Sequence, residues 1–300
     1  MDLSGDYSHL HSTIRPFAEE DRECRIRRIR TDRWITYCRA EAALAAMEDL
    51  LTFPKRTRMP NLLLVGPTNN GKTMIVEKLK RCHPPLAASN TADRAANIPV
   101  LKVQMPAAPD ELRFFGAILD EVGFPHAPFE RPCKRQDAAV RILRHTHVRL
   151  LVVDEVHNLL SGSRLQQRRL LNLLRWLGNE LQIPLVAVGT ADAFHAVQSD
   201  DQLANRFEPT RLPPWRDGEE YRQLLSTLEA LLPLRRPSQL ASTILAEKIM
   251  AAAEGILGEV ISIVSRAAVR AVTSGSECIT AKLIDQLGFL SPSQRRRVAV

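Results

Sequence analysis

The chain is 300 residues long, 45% hydrophobic and 25% charged, which is enough apolar material to bury the core of one large domain or two modest ones. Its formal net charge of +7 is a moderate basic excess that suits a partner bearing phosphates or an acidic surface. Five scattered cysteines (Cys24, Cys38, Cys82, Cys133 and Cys278), odd in number and never in a C-x-x-C pair, argue against a disulfide framework or zinc site. They point instead to a reducing cytoplasm. No run approaches the roughly 18 uninterrupted apolar residues of a membrane helix, so no membrane partner is expected, and the start MDLSGDYSHLHS lacks the basic tip and apolar stretch of a secretory signal.

Residues 1–33 crowd Arg22, Arg25, Arg27, Arg28, Arg30 and Arg33 together with little apolar periodicity, and read as a basic N-terminal arm. ITYCRAEAALAAMEDLLTFP is helical in composition and is ended by Pro54. NLLLV reads as a buried strand, followed by a glycine loop and the helix TMIVEKLKRC. PVLKVQM supplies a second strand, PDELRFFGAILDEVGF a helix and RLLVVDE a third strand. In RLQQRRLLNLLRWLGNEL a stripe of Leu170, Leu174, Leu177 and Leu181 opposes one of Arg164, Arg168, Asn172, Arg175 and Asn179. PLVAVGT is a fourth strand, and TRLPPW is expected to provide a fifth. The alternation predicts an α/β domain over residues 34–216, a parallel sheet flanked by helices. From Asp217 the strand signals stop, and four helical segments separated by Pro or Gly predict a small all-helical domain over 217–290. SPSQRRRVAV, 291–300, reads as a flexible basic tail.

The stretch GPTNNGKT, residues 66 to 73, fits G-x-x-x-x-G-K-[ST] and lies between a strand and a helix, the context in which that pattern cradles phosphates. Its glycines let backbone N–H groups close around phosphate oxygens, and the helix that begins there adds its N-terminal dipole. ATP would therefore lie against Gly66, Pro67, Thr68, Asn69, Asn70, Gly71, Lys72, Thr73 and Met74. Lys72 would reach the terminal phosphates, and the Thr73 hydroxyl would bind Mg²⁺. The acidic pair at the end of RLLVVDE completes the site. Asp154 would hold the magnesium, and Glu155 would orient or deprotonate the attacking water. His157, just beyond, reads first as a polar packing residue. Thr190, at the tip of PLVAVGT, could place a hydroxyl between the acidic pair and the phosphate.

That order of elements resembles the AAA+ ATPases. The resemblance implies that Thr190 is a sensor, that the C-terminal helices form a lid, and that Arg206 in DQLANRFEPTRL is an arginine finger reaching a neighbouring subunit's nucleotide, with Arg211 in reserve. Lids of that family carry an arginine in a G-x-x-R stretch. Here GILGEV puts Gly258 in its place, and Arg266 lies further along the helix. RWITYCRAEAALAAMEDLLTFP, the NNGKT form of the loop and VLKVQMPAAPDELRFFGAIL together resemble the TniB family of transposition ATPases, similar to TnsC, over roughly residues 10 to 290. Cys38 departs from that pattern, where a proline is expected.

The resemblance implies an ATPase that assembles as a homo-oligomer on double-stranded target DNA. It would link a target-selection factor to a separate DDE-type, integrase-like transposase. Arg164, Arg168 and Arg175, on one helix face, are the candidate DNA contacts, and such phosphate contacts bind without sequence choice and weaken with salt. Two alternatives share the site. One is a loader or initiator-like ATPase of replication; the other is a nucleotide-gated interaction switch with little hydrolysis.

Overall fold

The computed structural model describes residues 7–86, 97–127, 130–198 and 204–298. The chain divides into two compact units: Arg39–Thr68 with Lys72–Pro213, and Met1–Cys38 with Asn69–Gly71 and Pro214–Val300. Among the described residues no helix is long and apolar enough to cross a membrane.

The first unit is built on five strands, β1 (Asn61–Val65), β2 (Val100–Gln104), β3 (Leu150–Asp154), β4 (Leu185–Gly189) and β5 (Phe207–Arg211), in the order β2-β3-β4-β1-β5. Every pairing is parallel. NLLLV, LLVVD and LVAVG are buried along their whole length. Continuous apolar runs of this kind are what a parallel sheet covered on both faces requires. The covering helices are α2 (Cys38–Thr52), α3 (Lys72–Cys82), α4 (Glu111–Glu121), α5 (Pro132–His145), α6 (Arg164–Leu181) and α7 (Ala191–Gln198). Phe114 and Ile118 of α4 and Leu170, Leu174 and Leu177 of α6 close the main core against Leu63, Leu101, Leu151 and Val153.

The fifth strand departs from expectation. It is FEPTR, which starts three residues before the expected TRLPPW and shares only Thr210 and Arg211 with it. Leu212 still donates to Val65 O at 2.7 Å, but Pro213 and Pro214 have no N–H with which to continue the ladder. Pro209 is tolerated inside β5 because the strand pairs with β1 alone among the described residues.

The second unit packs α8 (Glu219–Ala230), α9 (Thr243–Ala253), α10 (Leu257–Ser274) and the short α11 (Ala281–Asp285) around Tyr221, Leu225, Ile249, Val260, Ile263 and Ala267. Two segments expected to be irregular belong to it. The presumed basic arm contains α1 (Arg22–Arg30), capped by Asp21, whose carboxylate accepts from Cys24 N at 2.8 Å. Ile29 of α1 is buried in the unit's core. Arg25, one turn earlier, is only 2% exposed, with Nε on Pro233 O at 3.0 Å and its guanidinium on Glu277. The apolar stripe is thus completed by an arginine, which periodicity counts as polar. The presumed flexible tail forms α12 (Pro292–Val298): the hydroxyl of Ser291 donates to Glu254 at 2.6 Å, and Arg295 pairs with Glu259 at 2.6 Å. Met1 to Asp6 and residues 299 and 300 lie outside the described residues.

Candidate nucleotide site

Gly66–Gly71 joins the C-terminal end of β1 to the first residue of α3. Gly71 has φ +84°, a left-handed conformation that glycine adopts without penalty. Lys72 is 8% exposed, and its ammonium donates to Gly66 O at 2.9 Å and Pro67 O at 2.6 Å. Burial pulls the Lys72 ammonium below the ordinary lysine range, and the negative charges of Glu155 and Asp154 oppose that shift.

The sheet order brings the acidic pair to the same end. The hydroxyl of Thr73 donates to Asp154 Oδ2 at 3.2 Å. Asp154, 4% exposed, also accepts Glu155 N at Oδ1, 2.9 Å away, and its backbone oxygen accepts Met105 N at 2.8 Å. One hydroxyl and one buried carboxylate, with the remaining positions left to phosphate and water oxygens, is a donor set that fits Mg²⁺. Among the described residues no group of three or more His, Cys, Asp or Glu side chains converges on a metal position.

Glu155 has φ +56°, uncommon for a residue with a side chain, and conformations of this kind concentrate at functional positions. Its carboxylate Oε2 lies 3.1 Å from His157 Nε2. His157, expected as a packing residue, therefore contacts the carboxylate assigned to water. Thr190 stands between the end of β4 and the start of α7, and its Oγ1 is buried without a hydrogen-bond partner among the described residues. A buried, unsatisfied hydroxyl at this position is available to a ligand or a water.

Sequence reasoning missed Lys102. It lies mid-strand in β2, with Nζ 3.0 Å from Glu77 Oε1 on α3 and 3.4 Å from Asp154 Oδ2. Burial disfavours its charge, but the hydrogen bond to Glu77 and the charges of Asp154 and Glu77 outweigh that, and the net shift is upward. The readable signal was the lysine itself, interrupting the apolar run of VLKVQ.

Other predicted residues lie elsewhere. Arg206 immediately precedes β5, and its backbone oxygen accepts Asn61 N at 2.9 Å. It stands where β1 enters the sheet, whereas the phosphate loop begins where β1 leaves. The five residues of β1 between them span about 17 Å. That distance is beyond the reach of an arginine side chain, so Arg206 cannot serve the loop of its own chain. Its guanidinium donates to Asn179 Oδ1 of α6 at 2.8 Å. Arg211, at the opposite end of β5, lies over the Phe194 ring at 5.2 Å. On α6, Arg164 and Arg168 are exposed, while Arg175 is half-buried and close enough to Arg206 to disfavour its charge. The arginine stripe therefore divides, and its C-terminal part belongs with Arg206.

Within the helical unit, Asn69 O accepts Gly258 N at 2.9 Å, Asn70 Oδ1 accepts Leu257 N at 3.2 Å, and Asn69 Nδ2 donates to Glu259 at 3.3 Å. A Cβ on Gly258 would lie 2.1 Å from Asn69 Oδ1. A side chain at this position requires the Asn69 amide to swing aside. Arg266 is occupied over the Phe289 ring at 5.6 Å.

The family model described as Bacterial TniB protein matches residues 25–217. The chain belongs to the TniB family. Its fold is that of the AAA+ P-loop ATPases, as three solved structures illustrate. The Aeropyrum pernix ORC2 protein, solved as ADPNP-ADP complexes, matches with 17% identity over 87% of this TniB chain and 70% of its own, TM-score 0.63. The Aeropyrum pernix ORC1 protein in complex with DNA matches with 17% identity over 91% and 69%, TM-score 0.57. Domain III of the Thermotoga maritima replication initiation protein DnaA matches with 16% identity over 86% and 95%, TM-score 0.55. At such identities the likeness carries the fold alone. No curated protein matches the sequence.

Proposed function

We propose that this TniB-family protein binds ATP with Mg²⁺ along Gly66–Thr73 and Met74, hydrolyses it, and in the ATP-bound state assembles as a homo-oligomer on double-stranded DNA. In that assembly it links a target-selection factor to a separate DDE-type transposase in the cytoplasm. The observation that carries the reading is the meeting of Thr73 Oγ1 and Asp154 Oδ2 at 3.2 Å beside the buried Lys72, with a second carboxylate, Glu155, next in the chain. Membership of the TniB family supports the transposition role, and the similarity to a protein solved with DNA and to one solved with ADPNP and ADP agrees with it. We assign nucleotide binding to residues 34–216 and a lid role to 217–290.

Each residue then has a defined task. Loop N–H groups and Lys72 bind phosphate oxygens, the ammonium exchanging loop carbonyls for phosphate. Thr73 and Asp154 hold Mg²⁺, which neutralises phosphate charge when bound. Glu155 orients the water and accepts its proton, after release from His157. Thr190 donates its unsatisfied hydroxyl toward the reacting phosphate. Arg206 serves the nucleotide of an adjacent subunit, and Arg164 and Arg168, with Arg175 at their flank, meet DNA phosphates.

The deciding measurement is binding of labelled duplex DNA with ATP, ADP, a non-hydrolysable ATP analogue or no nucleotide, at two salt concentrations. Binding only with ATP or the analogue, weakened by salt and abolished in Lys72→Ala, is expected. Binding indifferent to nucleotide would refute the gating. One observation favours a second reading, a switch with little turnover: Gly258, tied to Asn69, stands where related lids place an arginine. Under that reading ATP still drives assembly, but Glu155→Gln changes neither turnover nor assembly.

A further inference from the structure

The connection between α2 and β1 carries two arginines, Arg56 and Arg58, that no motif claims. Because β1 and β5 are neighbours, Arg58, separated from β1 by Met59 and Pro60, is brought beside Arg206, which precedes β5. Phe53, Arg56, Arg58, Met59, Asn205 and Arg206 line a cleft of about 490 Å³. Among the described residues none of these three arginines forms a salt bridge. Arg56 lies over the Phe53 ring at 4.6 Å, and Arg206 is held by Asn179. Arg58 is exposed and uncommitted within that cleft.

Like charges gathered in this way oppose one another. The Arg206 guanidinium is drawn below its ordinary range by burial first, then by Arg58 and Arg175. A bound anion reverses the sign of that repulsion, so the cluster is arranged for negative charge.

We propose that Arg58 and Arg206 together form one seat for the terminal phosphates of the nucleotide carried by a second copy of this chain; the inference rests on the ATP-hydrolysis reading above. Two features select this occupant. The cleft stands at the end of the sheet where β1 enters, beyond the reach of its own phosphate loop, so the anion comes from another molecule. Guanidiniums converging on a single concavity also match the compact charge of a triphosphate. A duplex, by contrast, spreads its phosphates along a line and suits an exposed ridge such as Arg164 and Arg168. Arg58 thus extends the expected single-arginine contact to a pair, contributed by a loop remote in sequence from Arg206.

The test is steady-state ATP turnover of the full chain across protein concentration, with DNA binding measured in parallel. Arg58→Ala is expected to lower turnover at assembling concentrations at least tenfold while ATP affinity of the dilute protein stays within twofold. Arg58→Lys retains part of the activity. Mixing Arg58→Ala with the hydrolysis-deficient Glu155→Gln protein restores turnover, because the inert subunit supplies intact arginines to a neighbour with an intact Glu155. If Arg58→Ala fails to fold, Arg58→Gln carries the same comparison. Turnover within twofold of wild type overturns the role of Arg58 and leaves the ATPase reading standing. Loss without rescue on mixing, accompanied by a shallower salt dependence of DNA binding, overturns it in favour of DNA phosphates. A wild-type chain that turns over no ATP at any concentration refutes the ATPase reading, and this inference with it.

Discussion

Gly258 is held against Asn69, whose backbone oxygen accepts its N–H and whose side chain is tied to Glu259. Adding a methyl at 258 forces the Asn69 amide away from Glu259, losing a bond worth about 1 kcal/mol. Gly258→Ala should therefore lower the unfolding free energy measured by urea titration by that amount, and the same substitution should be neutral in an Asn69→Gly background, where the collision partner is gone. Equal effects in both backgrounds would show that the contact is not the cause. Glu155 invites a second substitution at this scale: Glu155→Gln should retain ATP binding while turnover falls at least a hundredfold, measured by phosphate release. The positions of Lys72, Thr73, Asp154 and Glu155 were readable because each sits at a fixed offset from a glycine or a strand end. The Lys102–Asp154 pair was not, since it depends on β2 and β3 lying side by side, nor was the His157–Glu155 contact, which follows from the left-handed backbone at Glu155.

At the scale of elements, the docking of α1 rests on Arg25. Its partner Glu277 is shifted by burial, which would raise its pKa, but the hydrogen bond and charge of Arg25 overcome this and the net direction is down. A carboxylate depressed in the folded state contributes stability above its unfolded pKa, near the ordinary glutamate value, and that contribution is lost as pH falls through the folded value. Arg25→Ala should cost about 3 kcal/mol at neutral pH by emptying a core position and removing the guanidinium that pairs with the half-buried Glu277, which keeps only Arg235. Glu277→Gln should flatten the acid limb of a plot of stability against pH; an unchanged limb would place the titration elsewhere. Strands with unbroken apolar runs and helices with leucine stripes were legible from sequence. The helices α1, α5 and α12 were not. The buried face of α5 is Arg135, Ala139, Val140 and Leu143, and that of α1 is Arg25 and Ile29, so a charged residue occupies a core position in each. The strand β5 was placed too late because Pro209 and Glu208 weigh against a strand that only an edge position permits.

For the whole molecule, the order β2-β3-β4-β1-β5 puts the phosphate loop and the Arg206 cleft at opposite ends of β1. Turnover should therefore depend on encounter between chains. In wild type the specific rate should rise with protein concentration, while Arg206→Ala should show a flat, low rate and near-normal ATP binding. A loss that is equal at all dilutions would mean that Arg206 acts within its own chain or on the fold. The alternation of strand and helix made the sheet predictable, but its strand order was not, since contiguous letters do not state which strand crosses over which. The same edge strand that escaped sequence reading has one more effect. A row of free amides and carbonyls normally invites another chain to add itself as a sixth strand. On β5 that row is interrupted by a residue with no amide hydrogen, and Glu208, Pro209 and Arg211 are all exposed along it. Copies of this protein are thus discouraged from fusing along this margin into a continuous ribbon.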